Sequence, residues 1–493
     1  MAKILNEINL KNIKRIHKKK TIGLCHGAFD IIHLGHLEHL TNAKKNCDIL
    51  VVSVTDDKYI KKGPFQPYNN SSKRLEFLKY LEQIDYVYLD RNPTAIDVIK
   101  KLKPDFYFKG KDYLKKDLTG NLNKEIKILK RNKGKIIITK TELMSSTKII
   151  NNNFSDFSND QIEILKKINT LGGFDAIYKA FENIEQVEIS VIGDPIIDGY
   201  KLCVLSGLTT KDPAISTILK EEKKISGGVI AVAKILSKFV KKVNLITYGD
   251  SKKLNNFAKE YKNIKIINLG KNIPIQEKIR FLNENRFEKL LQVTNFKNIV
   301  IQEEMVKKKI ALALKNVNNL IVCDFGVGLF TKKITELINK KKIKKFINTQ
   351  TNSINLGENL FTKYNNCKYM SLDLREWKMG VKEKTDNINY KSIFKKFDKY
   401  QYIAITKGKN GSDFVGKEFS YSCPTFLKKT IDTTGCGDAY FSITSLMIMG
   451  KLTNQLNPFI GNIYAGMHGQ FIGNEGIIDK ITFLKYVKSI LNI

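Results

Sequence analysis

The sequence predicts an α/β protein made of two successive parallel-sheet domains. Three observations predict it. The 493 residues are too many for one hydrophobic core. In both halves, short apolar runs of strand length alternate with stretches of helical periodicity, the pattern of parallel strands joined by helices. And each half carries one glycine-bearing segment leading into a helical pattern, at 27–36 and at 432–438.

In the first half, Thr21 to Cys25 is a short apolar run that reads as a buried strand. Leu37, Leu40 and Ala43 beyond it are spaced like one face of a helix. The residues between form a tight turn into a helix start. Unpaired N–H groups and the positive end of the helix dipole collect there, which suits a phosphate. His33 and His36 add two imidazole donors at that place, where charge building up on a phosphate is stabilised. His26 and His39 are close in sequence, so a metal site is an alternative reading, although no Cys pair or H-E-x-x-H pattern accompanies them. The run from Asp48 to Asp56 is almost wholly apolar, as a central parallel strand should be.

The ten residues Gly27-Ala28-Phe29-Asp30-Ile31-Ile32-His33-Leu34-Gly35-His36 resemble the signature G-x-F-D-x-x-H-x-G-H of cytidylyltransferase-like nucleotidyltransferases, and the resemblance extends over residues 20–150. It implies a Rossmann-like nucleotidyltransferase domain over 1–150. His33 and His36 would be catalytic. Gly27, Phe29, Lys62 of a lysine–glycine loop, Arg74 at a helix start, and the late hydroxyl group of Ser145, Ser146 and Thr147 would bind nucleotide and phosphate. Lys109-Gly110-Lys111-Asp112-Tyr113 resembles the family's K-G-x-D-Y string. Class I aminoacyl-tRNA synthetases share a His-x-Gly-His, but their Lys-Met-Ser-Lys-Ser loop is absent. One departure is Gln66, where the family has an arginine before proline.

Composition narrows the function classes. Hydrophobic residues make up 42%, ordinary for a globular protein. The Lys-rich N-terminus lacks an apolar signal core, and no run approaches the roughly 20 apolar residues of a membrane span, so a cytoplasmic protein without membrane partners is expected. The seven cysteines are scattered without a C-x-x-C pair, which fits reduced thiols and not a disulfide or zinc framework. A net charge of +35 invites a nucleic-acid reading. Only 7 of the 84 basic residues are Arg, however, and the lysines are dispersed, so no nucleic-acid partner is expected. The charge would still steer polyanionic nucleotides and sugar phosphates.

Residues 151–187 read as a linker followed by a connecting helix from Gln161 to Ala180, with Asn151–Asn153 and Ser155–Asn159 the loosest stretch. A strand starts at Glu188. Further apolar strands follow at Asn244–Thr247, Leu320–Cys323 and Tyr402–Thr406, giving a doubly wound sheet over 188–493. In Asp432-Thr433-Thr434-Gly435-Cys436-Gly437-Asp438, the glycines let backbone approach a phosphate, the apolar stretch from Ala439 supplies a helix, and Asp438 stands where it can take a proton from an alcohol.

That string resembles the D-T-x-G-A-G-D signature of ribokinase-like sugar kinases. The resemblance implies Asp438 as base and Gly435, Cys436 and Gly437 as an anion hole. Asp198 of Gly193-Asp194-Pro195-Ile196-Ile197-Asp198, with Gly227 and Gly228, would bind sugar. Thr406, Gly408 and Gly411 would bind nucleotide, and Asp373 and Glu376 would serve Mg²⁺ indirectly. Two departures bear on activity: Ala231 replaces a sugar-contacting Asn, and Ile347-Asn348-Thr349-Gln350 replaces an I-D-P-K segment.

The two halves together resemble the bifunctional heptose-phosphate kinase and heptose-1-phosphate adenylyltransferases, with the order of domains reversed. The implied function is phosphorylation of a sugar phosphate and its activation as a nucleoside-diphosphate sugar for surface polysaccharide. ATP, or CTP, would be the nucleotide, with Mg²⁺. The alternatives are a working nucleotidyltransferase, CTP-dependent on an alcohol or sugar phosphate, fused to a sugar-binding pseudokinase. For an alcohol-phosphate cytidylyltransferase, Thr141-Glu142-Leu143-Met144 stands where that group has R-T-x-G. A homo-oligomer is left open.

Overall fold

A computed structural model describes residues 1–60, 63, 66–111, 120–139, 146–285, 288–295, 301–352, 355–382, 394, 399–427 and 430–493. The chain forms two compact units, Met1–Lys166 with Ile481–Ile493, and Lys167–Lys480.

The first unit is a six-stranded parallel sheet. Its strands are β1 (Lys3–Leu5), β2 (Ile22–Gly27), β3 (Ile49–Thr55), β4 (Tyr86–Asp90), β5 (Phe106–Gly110) and β6 (Lys135–Thr139), in the order β1-β4-β3-β2-β5-β6. β3 reads Ile-Leu-Val-Val-Ser-Val and is buried along those six residues, because both faces of the sheet are covered. One core cluster contains Leu40, Val52, Leu78 and Phe108, and another contains Leu24, Val51, Val98 and Tyr107. From β2 the chain steps outward to β3 and β4, then crosses back to β5 and β6. The order therefore reverses between β2 and β5, and ligands of such sheets bind at the carboxyl ends of the strands beside that switch. Residues 27–36 leave the carboxyl end of β2 at that point.

The stretch expected to be a loose linker is organised differently. Helix Ser146–Asn153 runs through its start, and Asn151 is only 2% exposed. Its Nδ2 donates to the carbonyls of Ser489 at 2.7 Å and Asn492 at 3.1 Å, so a buried amide satisfies carbonyls at the end of helix Lys480–Ile490. The single connecting helix expected from Gln161 to Ala180 is two helices, Asn159–Thr170 and Gly173–Ile184. Gly172 and Gly173, at φ +99° and +47°, make the break in a conformation that glycine adopts freely.

The second unit has a nine-stranded sheet ordered β11-β10-β7-β14-β15-β16-β17-β18-β19 and a four-stranded sheet ordered β13-β12-β8-β9. The ranges are β7 (Glu188–Gly193), β8 (Pro195–Leu208), β9 (Ile215–Gly228), β10 (Lys242–Thr247), β11 (Ile264–Asn268), β12 (Gln276–Asn283), β13 (Lys289–Asn295), β14 (Asn319–Asp324), β15 (Lys344–Thr349), β16 (Cys367–Asp373), β17 (Tyr400–Thr406), β18 (Ser412–Gly416) and β19 (Ser420–Cys423). The large sheet is parallel from β11 to β17 and antiparallel beyond. The four expected strands are parts of β7, β10, β14 and β17. Sequence reading missed the small sheet, whose strands β8 and β9 carry mixed polar residues over 14 positions each. Among the described residues no helix is long and apolar enough to cross a membrane.

Candidate functional site

In the first unit, β2 ends at Gly27 and helix Leu34–Lys45 begins after His33, its extended N-cap residue at φ −143° and ψ 171°. The His33 and His36 rings stack with centroids 4.0 Å apart, and Phe29 lies 5.4 Å from His36. Phe29 takes φ +51°, an uncommon conformation for a bulky residue, and a Cβ at Gly27 would stand 3.3 Å from its ring. Asp30 accepts backbone N–H bonds from Tyr68 and Asn69, both at 2.8 Å, so it fixes a neighbouring loop. Ser146 and Thr147 open helix Ser146–Asn153, and Ser146 Oγ donates to the carbonyl of Ile31 at 3.0 Å. Two helix starts are thus tied to one loop, a favourable environment for phosphate. Lys62 and Ser145 lie outside the described residues.

Arg74 is corrected. Expected at a phosphate, it is instead 1% exposed. Its guanidinium donates to the carbonyls of Asn69 (3.0 Å), Ala28 and Thr55 (2.8 Å) and to Asp57 Oδ1 at 2.6 Å. Four of its five N–H donors bind the protein, so it clamps the loops that frame the site. The metal alternative is not supported either. His39 Nδ1 pairs with Thr139 Oγ1 at 2.7 Å, and burial first, then the charge of Lys109, pulls its pKa down to about 4. His26 faces Ser53 Oγ at 3.2 Å and Thr55 Oγ1 at 3.4 Å. Among the described residues no group of three His, Cys, Asp or Glu could hold a metal ion.

In the second unit, Gly435 at φ +83° starts helix Cys436–Met449, and a Cβ there would collide with Asn474. A Cβ on Gly437 would meet nothing within 4 Å, so the backbone is open at that place. Asp438 is 7% exposed and accepts a hydrogen bond from Gln350 Nε2 at 2.7 Å. Burial first, and the charge of Asp198 second, push its pKa up to about 7, against the opposing pull of Lys278 and Gln350. Asp198, Gly228, Lys278, Arg280, Gln350, Gly435, Gly437 and Asp438 line one cleft. Gly227 is needed beside it, because any side chain there would run into the Asp198 carboxylate.

Two cleft cations went unrecognised in the sequence. Lys278 and Arg280 alternate along β12, which puts both on one face. Arg280 Nη1 meets Asp198 Oδ1 at 2.6 Å, and Lys278 Nζ donates to the neutral amide of Asn352 at 2.7 Å. Burial lowers the Lys278 pKa, so an anion in the cleft would favour its charged form. The i, i+2 spacing of two cations in a strand pattern was the available signal.

The remaining expected residues are not among those lining this cleft. Thr406 ends β17, and Gly408 and Gly411, at φ +57° and +83°, form its turn into β18. The thiol of Cys436 is pushed up to about 12, by burial first, so only its backbone is useful at the helix start. Asp373 and Glu376, expected near Mg²⁺ only indirectly, both bind backbone N–H groups. They form a capping box: Asp373 Oδ1 accepts from the N–H of Glu376 at 2.7 Å, and Glu376 Oε2 from that of Asp373 at 2.8 Å. The other Glu376 oxygen accepts from the N–H of Thr351 at 3.0 Å. Burial first, and Asp373 second, push the Glu376 carboxyl up to about 8.

The match that decides the first unit covers residues 24–152, which fit the Cytidylyltransferase-like family. Those residues form a cytidylyltransferase-like domain. The chain is 37% identical over 148 residues to the Bifunctional protein HldE of Campylobacter fetus subsp. fetus, covering 29% of this chain and 30% of that protein. It is 38% identical over 137 residues to that of Nitratiruptor sp., covering 27% and 30%. The chain thus matches under a third of the length of these curated relatives. A phosphofructokinase-2 mutant from Escherichia coli superposes with TM-score 0.50 at 12% identity, over 62% of this chain and 99% of that one. This second likeness is one of fold alone.

Proposed function

We propose that the chain is a bifunctional transferase. Its cytidylyltransferase-like domain moves a nucleotidyl group onto a sugar 1-phosphate, and its larger unit phosphorylates a sugar phosphate. The stacked His33–His36 pair at the start of helix Leu34–Lys45 carries this reading. A phosphate oxygen of the acceptor attacks the α-phosphorus of the triphosphate, and the bond to pyrophosphate breaks. The imidazoles and the helix N–H groups stabilise the charge that develops. In the larger unit Asp438 takes the proton of a sugar hydroxyl, whose oxygen attacks the γ-phosphorus as the nucleoside diphosphate leaves. The N–H groups at 436–438 receive the migrating charge. Mg²⁺ enters with the triphosphate, as part of the substrate.

Lys278 favours an acceptor that already carries a phosphate: its Nζ donates to the neutral amide of Asn352, whereas Arg280 is already paired with Asp198. The two products connect chemically: a kinase that adds phosphate at the anomeric oxygen of a sugar phosphate yields a bisphosphate, and hydrolysis of the other phosphate ester by a separate phosphatase leaves the sugar 1-phosphate that nucleotidyl transfer consumes. The reading is therefore an ADP-heptose-like sugar for surface polysaccharide, with the base settled by comparing ATP and CTP. The test is pyrophosphate release with a panel of sugar 1-phosphates, and diphosphate formation with a panel of sugar phosphates, heptose 7-phosphate among them. Absence of both products across the panels would refute the proposal.

One observation favours a second reading, in which the larger unit is a sugar-binding pseudokinase. Asp198 is held by Arg280 at 2.6 Å, where a sugar hydroxyl needs a free carboxylate, and Ala231 offers no amide. That reading expects pyrophosphate release without any sugar-dependent diphosphate formation.

A further inference from the structure

The last residues of the first unit touch the framework of its transfer site at two places, both through Ser489. Asn151 joins helix Ser146–Asn153 to the carbonyls of Ser489 and Asn492 through both of its Nδ2 hydrogen bonds, at 2.7 and 3.1 Å. The opposite end of that helix is the Ser146 hydroxyl on the carbonyl of Ile31, inside the signature loop and two residues before His33. Phe154, just past the helix, lies 5.0 Å ring to ring from Tyr68, whose N–H is held by Asp30 of the same loop. The second place is Gly63, next to Lys62 in sequence. A Cβ there would stand 2.5 Å from Ser489 Oγ and 3.3 Å from Ser489 Cβ, so Ser489 closes off the space beside Gly63. Ser489 itself is 7% exposed.

We infer that residues 481–493 are a positioning element of the nucleotidyl-transfer site. Asn151 and Ser489 set the placement of the signature loop and of Gly63 without touching substrate. This rests on the nucleotidyl-transfer reading above. The geometry supplies the reason. A short helix of eight residues has little stability of its own. The amide of Asn151 locks it onto a buried partner, and through Ser146 that lock reaches the residue pair that meets the phosphate. Misplacement of reacting groups by about 1 Å lowers rates on the order of 10²-fold.

The experiment uses the full chain, with pyrophosphate release for transfer and diphosphate formation for the kinase. Gly63→Ala should lower kcat for pyrophosphate release on the order of 10²-fold. Adding Ser489→Gly removes both atoms the new methyl meets, though not the backbone cost of a side chain at φ +159°, and should recover part of the rate, at least about threefold over Gly63→Ala. Asn151→Ala should lower kcat more than it raises KM, and should speed amide hydrogen exchange across 146–153 and 31–36, while kinase turnover or nucleotide binding by the larger unit stays unchanged. Failure of Ser489→Gly to rescue Gly63→Ala, together with Asn151→Ala within twofold of wild type, would overturn the inference. If the unaltered chain releases no pyrophosphate with any acceptor, it is the functional reading that fails. Unchanged exchange in Asn151→Ala would then overturn the positioning role as well.

Discussion

Replacing Asp438 by Asn separates what this carboxylate does for catalysis from what it does to stability. Its pKa rises from an ordinary 3.8 to about 7 on folding, through burial and then through Asp198. A carboxyl group with a raised folded pKa contributes stability below pH 3.8, and loses it as the pH climbs to 7. The unfolded chain sheds the proton throughout that window while the native chain holds it. Working the two titrations together, the native-state penalty is about 2 kcal/mol at pH 5 and about 4 kcal/mol at pH 8. Asn cannot ionise, so Asp438→Asn should gain on the wild type by roughly 2–3 kcal/mol between pH 5 and pH 8. Denaturant unfolding at the two pH values reads this directly. The same variant should lose roughly 10²–10⁴-fold in phosphoryl transfer, the usual contribution of a general base. In the wild type, kcat/KM for the sugar phosphate should climb about tenfold per pH unit below 7 and level off above it. A stability difference that does not change with pH, or a variant that keeps near-normal transfer, would refute the assignment of Asp438 as a buried base.

Other changes give equally direct readings. His36→Ala should slow pyrophosphate release on the order of 10²–10³-fold, as loss of one oxyanion donor does, without altering unfolding; a near-normal rate would remove His36 from the mechanism. Gly227→Ala puts a methyl into the Asp198 carboxylate, so the KM of the larger unit for its sugar phosphate should rise about tenfold, the scale of an overpacking strain, with pyrophosphate release unchanged. Arg74→Lys keeps the charge but cannot span Asn69, Ala28, Thr55 and Asp57 at once, so it should destabilise the first unit by about 2–4 kcal/mol in denaturant unfolding.

What could be read from the sequence was local. Residues 27–36 and 432–438 are contiguous strings whose glycines and following helices act together, so their placement at helix starts needed no knowledge of distant chain. The central strands were legible for the same reason, because β3 is apolar at five of the six positions that two covered faces bury, Ser53 being the exception. Arg74 shows where local reasoning stops. A cation at a helix start reads as a phosphate ligand until three carbonyls and a carboxylate from separate loops are seen to claim it. Asp373 and Glu376 differ, since D-x-x-E is the same string for a helix cap as for a metal-linked pair, and the cap shows only in the backbone N–H partners. Lys278 and Arg280 reach the cleft through the pairing of β12 with β8, a register that no local pattern announces. The break at Gly172 and Gly173 was available in the sequence and was passed over.

The division of the first unit between the two ends of the chain has a consequence for its synthesis. Between Lys166 and Ile481 lie 314 residues, counted from 167 to 480, which belong to the other unit. At about 5–20 residues per second, translation takes roughly 15–60 s to cover them. Throughout that interval the nascent amino-terminal sheet has emerged without the segment whose carbonyls Asn151 satisfies, while the larger unit is completed. The amino-terminal part of the first unit is therefore made before the larger unit and completed after it, and its surface at Asn151 stays open to chaperones while residues 167–480 are translated.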